Sequence, residues 1–202
     1  VLNLIGHTEE LGTKILCDYL SQAQRSKEVS DMDDFSNAVK AGRQHQREQR
    51  YEDAIISFRK ALLCKNNNIT MESPSVQATF ASTLFDIGTI HAYITQHQDP
   101  LKALQAFELS LQISRTCLGD DHPSVARVLY EMGIIYELLS EPAEALNLFS
   151  EAIAILLSNE MYVDVDSQLK EMWTSLSRVQ VSLGQTKDAQ SSFDEADMQH
   201  RK

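Results

Sequence analysis

Lys40, Arg43 and Arg47 recur at i, i+3 and i+7, so a helix over that stretch carries all three on one face. No Asp or Glu lies three or four residues from any of them, so no local ion pair neutralises them. In a chain of formal net charge -11 such a face is the exception. Its chemistry is electrostatic capture of an acidic segment. Apolar anchors accompany it. Phe85, Thr89 and Tyr93 run i, i+4, i+8, and Tyr130, Ile134 and Leu138 do the same, with Arg127 close before them. Aromatic and arginine side chains are favoured anchors of protein interfaces. Both sets also have a plain structural use: a solvated face for the cations, and packing between neighbouring helices for the aromatic runs.

Residue types that could do other chemistry are present but scattered. The sequence holds no Gly-rich phosphate loop, no His-Glu-x-x-His, no Gly-x-Ser-x-Gly and no calcium loop. His45 and His91 fall at equivalent helix positions and read as packed side chains; His122, beside Pro123, reads as a turn residue. Asp31-Met32-Asp33-Asp34 sits where a helix starts, where its charge suits the helix dipole. Cys17, Cys64 and Cys117 are odd in number and widely spaced, which fits reduced thiols better than a zinc or redox pair. The expectation is no catalytic residue, no metal site and no cofactor.

The acidic balance argues against binding nucleic-acid phosphates or an anionic membrane face. No run approaches the ~20 apolar residues of a membrane span. Glu9, Glu10 and Lys14 interrupt the first twenty residues, which are too polar for a signal peptide. A cytoplasmic location is expected, or an organelle interior if a targeting segment has been removed.

The elements that position these residues recur. Ala54-x3-Phe58-x2-Ala61, Ala103-x3-Phe107-x2-Ser110, Ala145-x3-Phe149-x2-Ala152 and Ala189-x3-Phe193-x2-Ala196 repeat a small-aromatic-small pattern, with leading alanines 49, 42 and 44 residues apart. Upstream of each lies a second column: Ala38-x2-Ala41-Gly42-x2-His45, Leu84-x2-Ile87-Gly88-x2-His91, Leu129-x2-Met132-Gly133-x2-Tyr136 and Trp173-x2-Leu176-Ser177-x2-Gln180. A small residue in mid-helix costs up to about 1 kcal/mol, so its recurrence points to close helix contact. The spacing predicts helix pairs at 35–48 and 51–64, 75–96 and 100–114, 123–138 and 142–157, and 166–182 and 186–199. The longer second unit places its extra residues around Gln96 to Pro100. Asp99-Pro100, Ser73-Pro74 and Asp121-His122-Pro123 read as helix starts. Lys65 to Ser73 reads as a surface loop. A further helix over about 9–22 is either the remnant of a preceding repeat or a cap.

These columns resemble the tetratricopeptide repeat, whose pattern places Trp, Leu-Gly and Tyr on the first helix and Ala, Phe and Ala on the second. The resemblance covers Phe35 to Gln199. The third unit is similar to the kinesin light chain type, through its linker Leu118-Gly119-Asp120-Asp121-His122-Pro123-Ser124-Val125-Ala126 and the 42-residue spacing. The resemblance implies an all-α fold: a right-handed α-solenoid of about four helix-turn-helix repeats (35–64, 75–114, 123–157 and 166–199, within 29–202) plus an N-terminal helix or arm in 1–28. First helices would line a concave groove. Kinesin light chains carry peptide-contacting asparagines just before the first-helix leucine; the matching pairs here are Val39-Lys40, Phe85-Asp86, Tyr130-Glu131 and Thr174-Ser175, with no asparagine.

The expected function is a non-catalytic protein-binding scaffold or adaptor. Its partner is a protein or peptide with an acidic and apolar segment, held by Lys40, Arg43, Arg47, Phe85, Tyr93, Arg127, Tyr130, Ile134 and Leu138. The rivals are a structural subunit of a larger assembly, held by its convex face or termini, and an accessory domain of a motor or enzyme whose chemistry lies elsewhere. Residues around Ala189, Phe193 and Ala196 are almost all polar, which predicts a last helix that seals the stack unaided.

Overall fold

The computed structural model describes residues 32–64, 73–94, 99–159 and 165–199. The expected N-terminal helix at 9–22 and nearly all of the loop at 65–73 lie outside the described residues. Within them the chain is helical, with no strand: α1 Met32–Arg47, α2 Tyr51–Cys64, α3 Pro74–Thr89, α4 Pro100–Leu118, α5 Pro123–Leu138, α6 Pro142–Leu157, α7 Val165–Ser182 and α8 Thr186–Gln199. Two compact units contain them, Val1–Ile113 and Ser114–Lys202, and α4 runs through the division.

In the first unit α1 pairs with α2, and α3 meets α4 where Gly88 faces Phe107 and Ser110 bonds to Ala81. In the second, α5 pairs with α6 and α7 with α8. Three of the pairs share one turn. Gln49, Ser140 and Gly184 adopt left-handed φ values of 59°, 63° and 75°. The amide after each donates back to a first-helix carbonyl: Arg50 to His45, Glu141 to Tyr136 and Gln185 to Gln180, at 2.9 Å in every case. This left-handed cap satisfies carbonyls that the helix end would otherwise orphan. Each left-handed residue lies seven positions after the small column, so repeat register fixes the turn as well as the core.

The second unit of the sequence pattern departs from that turn. Its first helix does not run on as α-helix to 96; α3 gives way to a π-helical turn, Ile90–Ile94, and the Asp99 amide donates to the His91 carbonyl at 3.1 Å. A π turn accommodates inserted residues without ending the helix. Asp99 then caps α4, accepting from the Lys102 amide at 3.0 Å. The α4 helix extends to Leu118, past the expected end at 114.

The small columns are contact columns. A Cβ on Gly42, Gly88 or Gly133 would stand 2.4, 2.6 or 2.5 Å from the ring of Phe58, Phe107 or Phe149 respectively. Those three phenylalanines are fully buried, as are the alanines that lead their patterns. Burying one such ring stabilises by roughly 1.5–3 kcal/mol relative to exposure. Ser110, in the second-alanine column, is buried too, and its hydroxyl donates to the Ala81 carbonyl at 2.8 Å.

The fourth pattern differs. Ser177 replaces glycine, and Phe193 is 57% exposed while Ala189 and Ala196 remain buried. Ser177 Oγ donates to the Ala189 carbonyl at 2.8 Å, and Ser192 Oγ donates to Gln180 Oε1 at 2.8 Å. Two polar bonds close the seam that a ring closes elsewhere. The residues around the pattern are almost all polar, as expected, but the Phe193 ring itself stands exposed on α8, and so does Met198.

Candidate functional site

In the first unit, Lys40 and Arg47 lie exposed on α1 and Arg43 is half-buried between them. Arg43 reaches across to α3: its Nε stands 3.3 Å from Asp86 Oδ2, and its Nη2 donates to Ser82 Oγ at 2.9 Å. The expectation of three unneutralised cations is corrected on this point. Local spacing excludes only partners on the same helix, and Asp86 is 43 residues away. Arg47 Nη1 makes a long contact of 3.4 Å to Gln44 Oε1. Lys40 and Arg47 thus carry the exposed positive charge of this face.

Phe85 is not on an open face. It is buried, with its ring centroid 5.4 Å from that of Phe107 and the planes tilted by 48°. Its i, i+4, i+8 run sits at the margin of the core, where the packing role wins. Thr89 is half-buried and its hydroxyl donates to the Phe85 carbonyl at 3.0 Å. Tyr93, in the π turn, is 42% exposed.

His91, in the same turn, is buried and its Nε2 has no hydrogen-bond partner. Burial, reinforced by Lys102 and Arg59, pulls its pKa below the ordinary imidazole value, against a weaker upward pull from Asp99. The packed reading of His91 holds. His45 is half-buried.

In the second unit, α5 presents Arg127 exposed, Tyr130 and Ile134 half-buried and Leu138 exposed. The Tyr130 ring packs 5.5 Å from Phe149, and its hydroxyl lies 3.2 Å from Ser175 Oγ on α7. Burial pushes the Tyr130 phenol up from its ordinary value. Beside it Arg178 of α7 forks onto Glu137 of α5, with Nε to Oε1 at 2.5 Å and Nη2 to Oε2 at 2.8 Å.

Sequence reasoning passed over Glu137 and Arg178, and named Asp86 and Ser175 without their partners. The signal for one pair was available: Glu137 and Arg178 are 41 residues apart, close to one repeat length, so opposite charges stand on successive first helices. Asp86 and Ser175 occupy positions compared above with the asparagine column, and both bond to the preceding first helix rather than facing outward unengaged.

The remaining reactive groups take structural places. His122 caps α5, its Nδ1 accepting from the Ser124 amide at 3.1 Å, in keeping with a turn role. Cys117 is a free thiol whose pKa burial raises, which lowers its reactivity. Trp173 is half-buried. Among the described residues no group of His, Cys, Asp and Glu could hold a metal ion, and no helix is long and apolar enough to cross a membrane.

Residues 81–158 match the family model of the tetratricopeptide repeat. No curated protein matches the chain. Among solved structures, BtubC (BKLC) from P. vanneervenii is similar at 17% identity and a TM-score of 0.74, over 96% of this chain and 75% of that one. A candidate kinesin light chain of Podosopora anserina, built of nearly identical tetratricopeptide-like repeats, is similar at 16% identity and a TM-score of 0.63, over 98% and 89%. MamA is similar at 15% identity and a TM-score of 0.57, over 96% and 92%. At such identities the likeness is one of fold. The chain therefore matches the tetratricopeptide repeat over 81–158, and over nearly its whole length it is similar in fold to a solved structure built of such repeats.

Proposed function

We propose that the chain is a non-catalytic scaffold that binds a protein partner through its first-helix faces. The observation that carries this reading is the composition of what those faces leave exposed. The first unit offers Lys40, Arg47 and Tyr93; the second offers Arg127 and Leu138, with Ile134 partly open beside them. Cations next to aromatic and aliphatic side chains suit a segment that is both acidic and apolar. Tetratricopeptide repeats commonly mediate such contacts, and the absence of motif chemistry in the sequence agrees with a binding role. Arg43, Tyr130 and Phe85 serve this surface indirectly. They hold it in shape through Asp86, Ser175 and Phe107.

The test is affinity capture on the purified chain, followed by identification of stoichiometric partners. The captured complex is then remade with Lys40→Glu/Arg47→Glu, which leaves the Arg43–Asp86 bridge intact, and with Leu138→Ser. The expected result is slower association and a flatter salt dependence for the first variant, and faster dissociation for the second. A complex that forms and decays at the wild-type rates in both variants would place the binding surface elsewhere and favour a structural subunit held by another face.

A further inference from the structure

Phe193 is an anchor that the fold has released. Its three counterparts are sealed against glycine, each with no exposed surface. At the fourth position the hydroxyls of Ser177 and Ser192 close the same seam, so the ring is not needed there and stands 57% exposed. Its neighbourhood on α8 is acidic. Asp194 follows it directly, held by Gln190 Nε2 at 2.9 Å, and Asp197 lies one turn further along the same face. The helix as a whole carries Asp188, Asp194, Glu195 and Asp197 against the single cation Lys187. This polarity is opposite to that of the exposed cations on α1.

An exposed aromatic ring bordered by carboxylates is complementary to an apolar side chain flanked by lysine or arginine. It is not complementary to itself: two copies of α8 would oppose like charges across the contact. An acidic segment is excluded for the same reason. We propose that α8 is a docking surface for a cationic, amphipathic segment of another protein. An apolar side chain of that segment covers Phe193, and its cations lie against the acidic surface of α8 beside it, Asp194 foremost. This surface is distinct from the first-helix faces and takes a partner of the opposite charge, so the chain can hold two dissimilar segments.

The probe is a synthetic amphipathic helical peptide of leucine and lysine, with a leucine–glutamate peptide as its counterpart. Binding to the isotope-labelled full chain is followed by amide chemical shifts and by titration calorimetry. The lysine peptide is expected to shift the amides of 186–199 and the glutamate peptide to leave them unmoved. Phe193→Ser is expected to weaken binding about tenfold or more, from the lost burial of one aromatic side chain. Asp194→Asn/Asp197→Asn is expected to weaken it less and to reduce its salt dependence. Ile56→Ser, an equally exposed apolar site at 63% on α2, is expected to change nothing. Should Phe193→Ser melt differently from the wild type, the asparagine pair decides alone. Equal affinity in the wild type and the asparagine pair, or shifts centred outside α8, overturns the proposal. So does a concentration-dependent dimer abolished by Phe193→Ser, because the occupant would then be a second copy.

Discussion

Gly133 and Phe149 form a matched seat and ring: a Cβ at Gly133 would stand 2.5 Å from Phe149 Cε1, well inside contact distance. The ring is fully buried, so it has nowhere to retreat. Gly133→Val is therefore expected to destabilise the second unit by about 1–3 kcal/mol, as overpacking does, despite the removal of a mid-helix glycine. Denaturant unfolding measures this directly. Adding Phe149→Leu should recover part of the loss, because a smaller side chain frees the space the valine needs; strict additivity of the two changes would contradict the contact.

The Glu137–Arg178 fork links the first helices of two successive repeats in the second unit. Side-chain exposures of 26% and 57% keep it in contact with solvent. A double-mutant cycle with Glu137→Gln and Arg178→Gln is expected to give a coupling of about 0.5–1 kcal/mol, at the upper end for a solvated pair because the bond is bidentate. The coupling should shrink in high salt. A value of several kcal/mol would mean that water is excluded from the pair.

Gln49 and Ser140 hold a left-handed conformation that Gly184 holds at the equivalent place. For a residue with a Cβ this costs roughly 1–2 kcal/mol, of which glycine returns part through its greater unfolded-state freedom. Ser140→Gly is expected to stabilise by about 0.5–1 kcal/mol. Gly184→Ala should destabilise by a similar or larger amount, and purely through the backbone, because no heavy atom lies within 4 Å of the position a Cβ would take. Thermal melts of the two variants should move in opposite directions.

His91 makes the first unit sensitive to acid. Its pKa in the fold is lowered from 6.5 by burial and by Lys102 and Arg59. Above 6.5 the imidazole is neutral in both folded and unfolded chains, and the stability it permits is fully present. As pH falls below 6.5 the unfolded chain takes up a proton that the fold resists, and stability declines until the folded pKa is passed. His91→Gln should flatten the melting temperature between about pH 7 and pH 5, with a difference of at most about 1.4 kcal/mol per pH unit. Parallel curves for the two proteins would remove His91 as the cause.

Much of the architecture was legible in the chain. The Ala, Phe and Gly columns fix which faces meet, because a helix repeats its face every 3.6 residues and a glycine opposite an aromatic ring sets close approach. Hence α2, α5, α6 and α8 have the expected bounds, and the Gly42, Gly88 and Gly133 seats were marked in advance. Helix starts at Pro74, Pro100 and Pro123 follow from chemistry local to a few residues, which periodicity and capping report directly.

Relations between residues far apart in sequence were settled by tertiary packing alone. That Arg43 reaches Asp86 and that Tyr130 meets Ser175 depend on how neighbouring first helices are offset, and that Phe85 turns toward Phe107 depends on how α3 packs on α4, distances no one-helix pattern contains. The π turn at Ile90–Ile94 likewise reflects where inserted residues cost least once α3 is already packed. Phe193 makes the division plain. By itself the sequence determined one column with four aromatic positions; only tertiary packing decided that three rings are buried against glycine and that the fourth, beside an α7–α8 seam closed by the hydroxyls of Ser177 and Ser192, faces water. The physical reason is that a pattern specifies which residues share a face, whereas burial depends on the volume and hydrogen bonds available on the face opposite.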